Sequence, residues 1–372
     1  MKFIRCTAEM LSKPVKIVSG IVERNQALPV ISNILVEQNN AEVSFTTTDL
    51  DVQMKTTAMV GVDECAVRCT ISAQKLSEIL NALKPQDQIE LTIDDNNRVM
   101  LETATGSFNL QTLPVRDFPE INTTEWLTTF QMPAKQLRYQ LSMTSFAMAS
   151  KDVRYYLNGV HFATFGDVVK CAATDTHRLA YCESTIEGLN VTPAVHVTIP
   201  RKTVRELLRI LPEDDAVVEV SLSSTQCAFR FDGVDFVSKL VDGQFPDYER
   251  VIPTQDTNNQ PITVEREALI LALRRVQILT NEKFHGVRWL LSNNNLMIQG
   301  TNAEQEEASQ NIAVTWPWAE LDIGFNVVYL LEVLSALKTS EVTFHFAPTP
   351  RSVLLTMPET LSFRYVIMPM RI

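Results

Sequence analysis

Apolar residues recur every three to four positions in three long stretches of the chain, a spacing that lines them along one face of an α-helix. These stretches are residues 7–25, 133–151 and 265–283. Shorter stretches with the same helical spacing are residues 72–84, 200–211 and 326–338. Within each set of three, successive members begin between 126 and 132 residues apart. The pattern therefore predicts six helices, arranged as three similar pairs.

Residues at the ends of these stretches support the predicted helices. Ser72 and Asn326 are of the types that cap helix N-termini, and Pro200 suits the start of a helix. Pro14 lies inside the first stretch, where a proline removes one backbone hydrogen bond and clashes with the preceding turn. We therefore expect a bend near Pro14 or a helix that starts late.

Between the helical stretches, polar and apolar residues alternate in short runs such as 216–222, a pattern typical of half-buried β-strands. Two kinds of polar landmark also return with a period near a third of the chain. The first kind is Thr48-Asp49, Thr174-Asp175 and Thr301-Asn302, and the second is Asn33 to Leu35, Asn158 to Val160 and His285 to Val287. The shared period indicates three homologous α+β units, each with two helices packed on an antiparallel sheet.

The joints between the units are also visible in the sequence. A chain of 372 residues is long enough for two or three domains. Polar segments rich in proline and threonine, at about residues 120–130 and 252–262, are typical of linkers. We therefore predict a first domain at residues 1–122, a second at 128–251 and a third at 252–372.

Charge is distributed unevenly along the chain. It has 33 basic and 44 acidic residues, and a net charge of −11 argues against a nucleic-acid partner if it is spread evenly. The six helical stretches, however, contain 17 Lys and Arg against 8 Asp and Glu, so they sum to +9 and the rest of the chain to −20. Glutamate favours helices about as well as lysine and arginine do, so helix propensity alone does not explain the excess. A positive helical face predicts sequence-independent contact with nucleic-acid phosphates; the alternative is a scaffold that binds only acidic proteins.

Several functional classes find no support in the sequence. No apolar run reaches the length of a membrane span, and the first nine residues lack the apolar core of a secretion signal. The six cysteines are scattered without C-x-x-C pairs, so we expect free thiols in the reducing cytoplasm and no zinc site. The glycine-rich phosphate loops and the H-E-x-x-H and G-x-S-x-G motifs are also missing.

An enzymatic interpretation would pair Asp49 with Asp51, or Asp175 with His177, as metal ligands or as an acid–base pair. The repeat weakens it, because Asp175 corresponds to Asp49 and to Asn302 in the other units. Aspartate and asparagine are common turn residues, and a catalytic ligand has no need to recur in every unit. We therefore expect a turn position rather than a catalytic centre, with no cofactor and no metal.

Five longer motifs are specific enough to indicate a family. They are residues 152–159, 173–180, 238–248, 281–284 and 365–372, the last ending in Met-Pro-Met-Arg-Ile. In these motifs and in its length, the chain resembles the bacterial DNA polymerase III beta subunit, the family of the beta sliding clamps. The resemblance implies an α+β DNA-clamp fold of three repeated domains and a homodimeric ring, with helices lining the hole and sheets outside. Such a ring encircles duplex DNA, tethers the replicative polymerase for processive synthesis and catalyses no reaction itself.

The resemblance also implies a set of DNA-contacting residues. By position in the family pattern these are Arg24, Tyr155, Tyr156, Arg201, Lys202 and Arg209. Lys151 lies beside this set and is added on its charge alone. The alternative for the two tyrosines is that one or both pack against the fold, since the run continues into Leu157 and Val160.

A second implied site is a hydrophobic groove for a short linear peptide, shared by the polymerase alpha subunit, the clamp loader, other DNA polymerases and repair proteins. The matching residues are Leu157, Thr174, Thr176, His177, Arg178, Leu179, Pro246, Arg250, Val251, Val353, Val366, Met368, Pro369, Met370 and Arg371. Thr176 departs from the family, in which glycine is common at this position, so its β-branched side chain is expected to narrow the groove. From the residues alone, Val366 to Ile372 would instead be a core strand that closes a sheet.

The third implied site is the seam of the ring, where unlike ends of two subunits meet. One end consists of Lys75, Ile79, Phe108 and Leu110 in the first unit. The other end consists of Ile278, Leu279, Glu304, Glu306 and Glu307 in the third unit. For any single residue of this acidic run, a solvated loop is the alternative.

Overall fold

The computed structural model describes residues 1–23, 28–62, 66–94, 96, 98–122, 124–253, 259–358 and 360–371. Within these ranges the chain repeats one order of elements three times: a strand, a helix, four strands, a second helix and three strands. The α+β class and the threefold repeat predicted from the sequence are therefore confirmed.

All six predicted helices form, and each is shorter than its apolar stretch. They are α1 (Ala8–Ser19), α2 (Ala73–Ala82), α3 (Ala134–Thr144), α4 (Arg201–Ile210), α5 (Arg266–Gln277) and α6 (Val327–Ala336). The predicted caps are confirmed, because the Ser72 hydroxyl accepts a hydrogen bond from the amide of Lys75. The Asn326 side chain likewise accepts from the amide of Val328.

Helix α1 continues through Pro14, so the expected late start of this helix is wrong. Thr7 caps the helix immediately before its first residue, and its hydroxyl accepts a hydrogen bond from the amide of Met10. Pro14 is buried together with Leu11 and Val15. Burial of this apolar face offsets the single backbone hydrogen bond that the proline removes.

The strands of the described ranges number 24. Those of the first repeat are β1 (Lys2–Thr7), β2 (Asn33–Asn39), β3 (Glu42–Thr48), β4 (Val52–Met59), β5 (Ala66–Ser72), β6 (Gln88–Ile93), β7 (Arg98–Thr103) and β8 (Gly106–Gln111). Those of the second are β9 (Thr128–Pro133), β10 (Gly159–Gly166), β11 (Val168–Thr174), β12 (Arg178–Thr185), β13 (Val191–Pro200), β14 (Val217–Leu222), β15 (Gln226–Phe231) and β16 (Val234–Lys239). Those of the third are β17 (Gln260–Glu265), β18 (Gly286–Ser292), β19 (Asn295–Thr301), β20 (Glu307–Ala313), β21 (Leu321–Asn326), β22 (Glu341–Phe346), β23 (Val353–Met357) and β24 (Thr360–Ile367).

The chain divides into two compact units, which differ from the three repeats. Unit 1 consists of Met1–Lys135 and Arg209–Leu240, and unit 2 of Gln136–Leu208 and Val241–Ile372. Unit 1 contains a four-stranded sheet in the order β1-β6-β7-β8 and an eight-stranded sheet in the order β5-β2-β3-β4-β16-β15-β14-β9. Unit 2 contains a four-stranded sheet in the order β20-β19-β18-β21 and an eight-stranded sheet in the order β13-β10-β11-β12-β24-β23-β22-β17.

Each eight-stranded sheet joins strands of two successive repeats. In unit 1, β4 of the first repeat pairs antiparallel with β16 of the second, and in unit 2, β12 of the second repeat pairs antiparallel with β24 of the third. The outer strands β8 and β20 belong to the two four-stranded sheets. The strands of the second repeat are therefore shared between the two units, whereas the predicted domain limits remain a prediction.

The helices cover the sheets in each unit. In unit 1, α1 packs on α2 and against β3 and β4, and in unit 2, α5 packs on α6 and against β19 and β20. Five cysteines, Cys6, Cys69, Cys171, Cys182 and Cys227, are buried free thiols, as expected, and Cys65 lies outside the described residues. Within the described ranges, none of the helices has the length and apolar character needed to cross a membrane.

Candidate peptide groove and nucleic-acid interface

Side-chain hydrogen bonds hold the turn between β11 and β12. The Asp175 carboxylate accepts from the amides of His177, at 3.0 Å, and Arg178, at 3.1 Å. The Thr174 hydroxyl accepts from the amide of Thr176 at 3.0 Å. The backbone of Thr176 has a φ of +77°, in the left-handed region that favours glycine. Thr176 therefore adds backbone strain to the turn, in addition to the side-chain volume that is predicted to narrow the groove.

The same turn recurs at the end of β3. There the Asp49 carboxylate accepts from the amides of Asp51, at 3.0 Å, and Val52, at 2.7 Å, and Leu50 has a φ of +80°. In the third repeat, Asn302 accepts from the amide of Glu306 at 2.8 Å. The recurring Asp or Asn is thus a turn residue, as expected. The described residues also contain no cluster of three or more side chains suited to a metal ion.

Arg178, a predicted groove residue, is buried, with 6% of its side chain exposed. Its guanidinium donates to the Asp175 carboxylate at 3.1 Å, to the Glu332 carboxylate on α6, and to the carbonyl of Phe146 at 2.7 Å. The guanidinium carbon also lies 4.2 Å from the ring centroid of Tyr329. Arg178 therefore fastens the β11–β12 turn to α6 and to the segment that follows α3.

The pairing of three strands assembles the apolar floor of the candidate groove. Leu179 on β12 lies opposite Val366 on β24, which in turn lies opposite Leu354 on β23. Directly opposed residues of antiparallel strands share one face of the sheet. These residues and Leu157 belong to one hydrophobic cluster, whose other buried members are Ala149, Ala172, Tyr181, Phe245 and Tyr248. The sequence motifs identified Leu157, Leu179 and Val366, and they missed the rest.

Val353 does not belong to this surface. It lies opposite Ile367 on β24, one position along from Leu354, so it faces the other side of the sheet. It is also completely buried. Leu354, and not the predicted Val353, belongs to the groove floor, because neighbouring residues of a strand lie on opposite faces of the sheet.

The segment after β16 forms a rim along the cluster. Phe245 and Tyr248 are buried in the cluster and anchor the segment. Pro246, Arg250 and Val251 are exposed, and 86% of the Arg250 side chain is accessible to solvent. These three residues adjoin the buried anchors in sequence, and their place in the groove stays a prediction.

The tail beyond β24 is fixed at two backbone positions. The amide of Met368 donates to the carbonyl of His177, and that of Met370 to the carbonyl of Gly324, each at 2.9 Å. Met368 is 48% exposed, and the tail residues Pro369, Met370 and Arg371 border an open cavity of about 1040 Å³. The alternative, in which Val366 to Ile372 is a core strand that closes a sheet, therefore holds only as far as Ile367, the last residue of β24. Ile372 lies outside the described residues.

A buried histidine supports the anchor at Phe245. The ring of His161 stacks on that of Phe245 with the centroids 4.9 Å apart, and on that of His196 at 5.7 Å. Burial and, to a smaller extent, the neighbouring His196 lower the pKa of His161 to about 4. His161 is therefore neutral at physiological pH, so the ring that stacks on Phe245 is uncharged.

The predicted DNA-contacting residues fall into two groups, and Arg24 lies outside the described residues. Lys151 and Tyr155 are exposed, Tyr155 by 73%. Tyr156 is half-buried and packs against the hydrophobic cluster, so the packing alternative is confirmed for this tyrosine. Lys151 and Tyr155 remain candidates for contact with DNA.

The two predicted arginines of α4 use their guanidiniums to bind backbone carbonyls. Arg201 donates to the carbonyls of Met148, at 2.7 Å, and Ala149, at 3.1 Å. Burial, and then the neighbouring Arg205, lower the pKa of Arg201. Arg201 is thus part of the fold around the groove as well as a predicted DNA contact.

Arg209, at the other end of α4, belongs to unit 1. Its guanidinium donates to the carbonyls of Lys16, at 3.2 Å, and Ile17, at 2.6 Å, in the last turn of α1. A cation at a helix C-terminus compensates the negative end of the helix dipole. Lys202 is half-buried beside Arg201.

Of the predicted seam residues, Phe108 and Leu110 lie on β8 and Glu307 on β20, and the others lie on α2 or follow α5 and β19. On the first side Lys75 is exposed and Ile79 half-buried on α2, while Phe108 on β8 is 38% exposed and Leu110 is buried. On the second side the exposed residues are Ile278, at 77%, and Glu304, Glu306 and Glu307, with Leu279 half-buried.

Comparison with known proteins defines the class of this fold. The N-terminal, central and C-terminal domains of the DNA polymerase III beta subunit match residues 1–122, 131–247 and 249–371. The chain is 38% identical to the beta sliding clamp of Pseudomonas aeruginosa and 37% identical to that of Escherichia coli K12, in each case over 98% of both chains. The chain belongs to the DNA polymerase III beta subunit family, the beta sliding clamps.

Solved structures agree with this assignment. The crystal structure of the DNA polymerase III subunit beta from Pseudomonas aeruginosa has a TM-score of 0.93 and 36% identity over 100% of both chains. A sliding clamp from Bartonella birtlesii, solved bound to griselimycin, has a TM-score of 0.93 and 33% identity over 100% of both chains.

Proposed function

We propose that two copies of this chain close head to tail into a ring that encircles duplex DNA and tethers the replicative polymerase. As a member of its family, the chain is a DNA sliding clamp, a processivity factor that catalyses no reaction itself. A ring holds DNA by its closed topology, so the individual protein–DNA contacts can stay weak enough for sliding. Tethering raises the effective concentration of the polymerase at the primer end.

The pairing order of the repeats supports the ring. The third strand after the first helix of a repeat pairs with the last strand of the next repeat, and this happens twice within the described part of the chain. These pairs are β4 with β16 and β12 with β24. Continued by one step, the same rule pairs β20 with β8 of a second copy. Because each chain supplies one end of each kind, two copies complete both missing junctions.

The residues at these two ends are complementary. Ile278 and Phe108 expose apolar surface, at 77% and 38%. Lys75 is exposed on the β8 side, and Glu304 and Glu307 are exposed on the β20 side. An apolar centre with opposite charges around it is the composition expected of a specific interface.

The helices provide the positive surface proposed to contact DNA. Within their observed bounds, the six helices contain twelve Lys and Arg and five Asp and Glu, which gives them a net charge of +7. Since the whole chain has a net charge of −11, the remaining residues sum to −18. The exposed basic residues of the helices are Lys13, Lys16, Lys75, Lys135, Arg205, Arg209, Arg274 and Arg275, of which Lys75 belongs to the predicted seam. Contacts of these side chains with phosphates are independent of base sequence and weaken with salt.

The groove of unit 2 is the proposed docking site for partner peptides. Its floor contains Leu157, Leu179, Leu354 and Val366, and the adaptable side chain of Met368 lies exposed at one end. We propose that the polymerase alpha subunit, the clamp loader, other DNA polymerases and repair proteins bind here through short linear peptides, in the cytoplasm at the nucleoid. Relatives from Bartonella birtlesii and Pseudomonas aeruginosa bind griselimycin, which we expect this chain to bind too.

The decisive experiment is retention on circular DNA. The protein is loaded by its clamp loader onto a nicked circular plasmid, and one half of the sample is then cut with a restriction enzyme before gel filtration. We expect the protein to elute with the circle and to be lost from the linear product, with a native mass of two chains. Equal retention on both forms would refute encirclement and favour a protein that binds DNA without a ring. Absence from both forms would favour a scaffold that binds only acidic proteins.

A further inference from the structure

One residue, Arg201, holds both ends of the segment 148–158. Its guanidinium donates to the carbonyls of Met148 and Ala149, at 2.7 and 3.1 Å, and its backbone amide donates to the carbonyl of Asn158 at 3.0 Å. Arg201 is the first residue of α4. These bonds therefore tie both ends of the segment to the start of one helix.

The segment contributes to two surfaces. Ala149 and Leu157 belong to the hydrophobic cluster of the groove, and the amide of Ala149 donates to the carbonyl of Leu157 at 3.0 Å. Lys151 and Tyr155, between them in sequence, are exposed. The same short segment thus provides a wall of the groove and two of the predicted DNA contacts.

Internal bonds make the segment a closed loop. The amide of Asp152 donates to the side-chain oxygen of Asn158 at 3.0 Å, and the side-chain nitrogen of Asn158 donates to the carbonyl of Asp152 at 2.8 Å. A loop bonded within itself moves as one body. The bonds that Arg201 makes at both ends of this loop therefore contribute to its position in the fold, together with the packing of Ala149 and Leu157.

A second arginine fixes the chain just before this loop. The Arg178 guanidinium donates to the carbonyl of Phe146 at 2.7 Å. Arg178 belongs to the turn that contains Thr176 and His177. The stretch 146–149 is therefore bound by one arginine from the groove turn and by another from α4.

We propose that Arg201 is a positioning residue of the peptide groove, which sets the place of Ala149 and Leu157 relative to Leu179 and Val366. The inference rests on the proposed function of the groove as a peptide site. Arg201 acts through backbone carbonyls, so it contributes to peptide affinity without touching the peptide. Its effect on the groove is present before any DNA is bound, which separates this role from a phosphate contact.

The test compares Arg201 with Arg205, an exposed arginine one turn along the same helix. The variants Arg201→Ala, Arg201→Lys and Arg205→Ala are purified, and the affinity for a fluorescein-labelled peptide from the polymerase alpha subunit is measured without DNA. Losing the two carbonyl bonds in Arg201→Ala is expected to weaken binding about tenfold. Arg201→Lys should recover part of that loss, and Arg205→Ala should bind within about twofold of the unmodified protein.

Hydrogen exchange adds a readout that the peptide cannot influence. In Arg201→Ala without peptide, the amides of Ala149 and Leu157 should exchange faster, while amides of β10 and β11 exchange as before. Unchanged peptide affinity in Arg201→Ala, or an equal loss in Arg205→Ala, would overturn the proposal. If Arg201→Ala does not fold, full affinity in Arg201→Gln overturns it in the same way. Failure of the unmodified protein to bind the peptide would instead count against the proposed function.

Discussion

The guanidinium of Arg178 lies over the ring of Tyr329, 4.2 Å from its centroid, and so links the β11–β12 turn to α6. The Glu332 carboxylate on α6 accepts a hydrogen bond from the same guanidinium. Stacking on an aromatic face and charged hydrogen bonds together favour arginine over lysine at such a position. The shape of the groove therefore depends on a residue that is itself almost inaccessible to a peptide.

Removing this link should cost both stability and affinity. In Arg178→Ala, the carboxylates of Asp175 and Glu332 lose their partner, and we expect the free energy of unfolding to fall by about 3 kcal/mol. Urea denaturation of the full chain measures the change in stability, and peptide titration measures the change in affinity. Arg250→Ala is the matched control, since this exposed arginine of the same groove should change stability by less than about 0.5 kcal/mol. Equal stability of the two variants would contradict the structural role of Arg178.

The strained turn makes a prediction of the opposite sign. Thr176→Gly should raise the free energy of unfolding by about 0.5–1 kcal/mol. The strain that glycine relieves in the left-handed backbone of the folded protein exceeds the cost of the extra conformational entropy that it gives the unfolded chain. Loss of the β-branched side chain should also strengthen peptide binding. Leu50→Gly, at φ +80° in the equivalent turn of unit 1, should stabilise similarly but leave peptide affinity unchanged. Thermal melts and peptide titrations distinguish the two variants, and a destabilised Thr176→Gly would refute the argument.

His161 predicts how stability depends on pH. Its folded pKa of about 4 lies below the ordinary value of 6.5, so the unfolded chain binds more protons between these values. The contribution of His161 to the free energy of unfolding is therefore fully present above pH 6.5. It is lost as the pH is lowered towards 4, by up to about 1.4 kcal/mol per pH unit. His161→Phe keeps an aromatic ring against Phe245 and should lose this contribution. Parallel pH profiles of the variant and the unmodified protein, measured by urea denaturation, would exclude His161 as the source.

The proposed seam is tested by Ile278→Asp. A buried, unpaired carboxylate at the junction should separate the two copies, while the fold of each chain stays intact because Ile278 is 77% exposed. Light scattering should give the mass of one chain in place of two. Leu271→Asp, on a half-exposed residue of α5 outside the predicted seam, should remain a dimer. A dimeric Ile278→Asp would place the junction elsewhere.

Local patterns predicted most of the fold. Helical spacing located all six helices, and the landmarks Thr48-Asp49, Thr174-Asp175 and Thr301-Asn302 mark the ends of β3, β11 and β19 in the three repeats. These signals are local, because side-chain spacing and turn chemistry depend on residues close together in sequence. The helix ends were less certain, because apolar residues beyond a helix also pack into the core.

The groove was predicted less completely, because it depends on pairing between distant strands. Leu179 and Val366 are far apart in sequence and meet only through the register of β12 with β24. The face on which Leu354 lies, and not Val353, is fixed by that same register. The burial of Arg178 and the bonds of Arg201 to Met148 and Ala149 depend on tertiary contacts, for which the motifs contain no signal.

The sharing of the second repeat between two sheets also bears on how this chain folds. A segment covering residues 128–251 alone would leave β16 without β4 and β12 without β24, and would expose two long sheet edges. Such edges favour pairing with other chains, so a single repeat cut from this chain is expected to associate with further copies. One repeat is therefore smaller than the unit of folding, which needs strands from two neighbouring repeats.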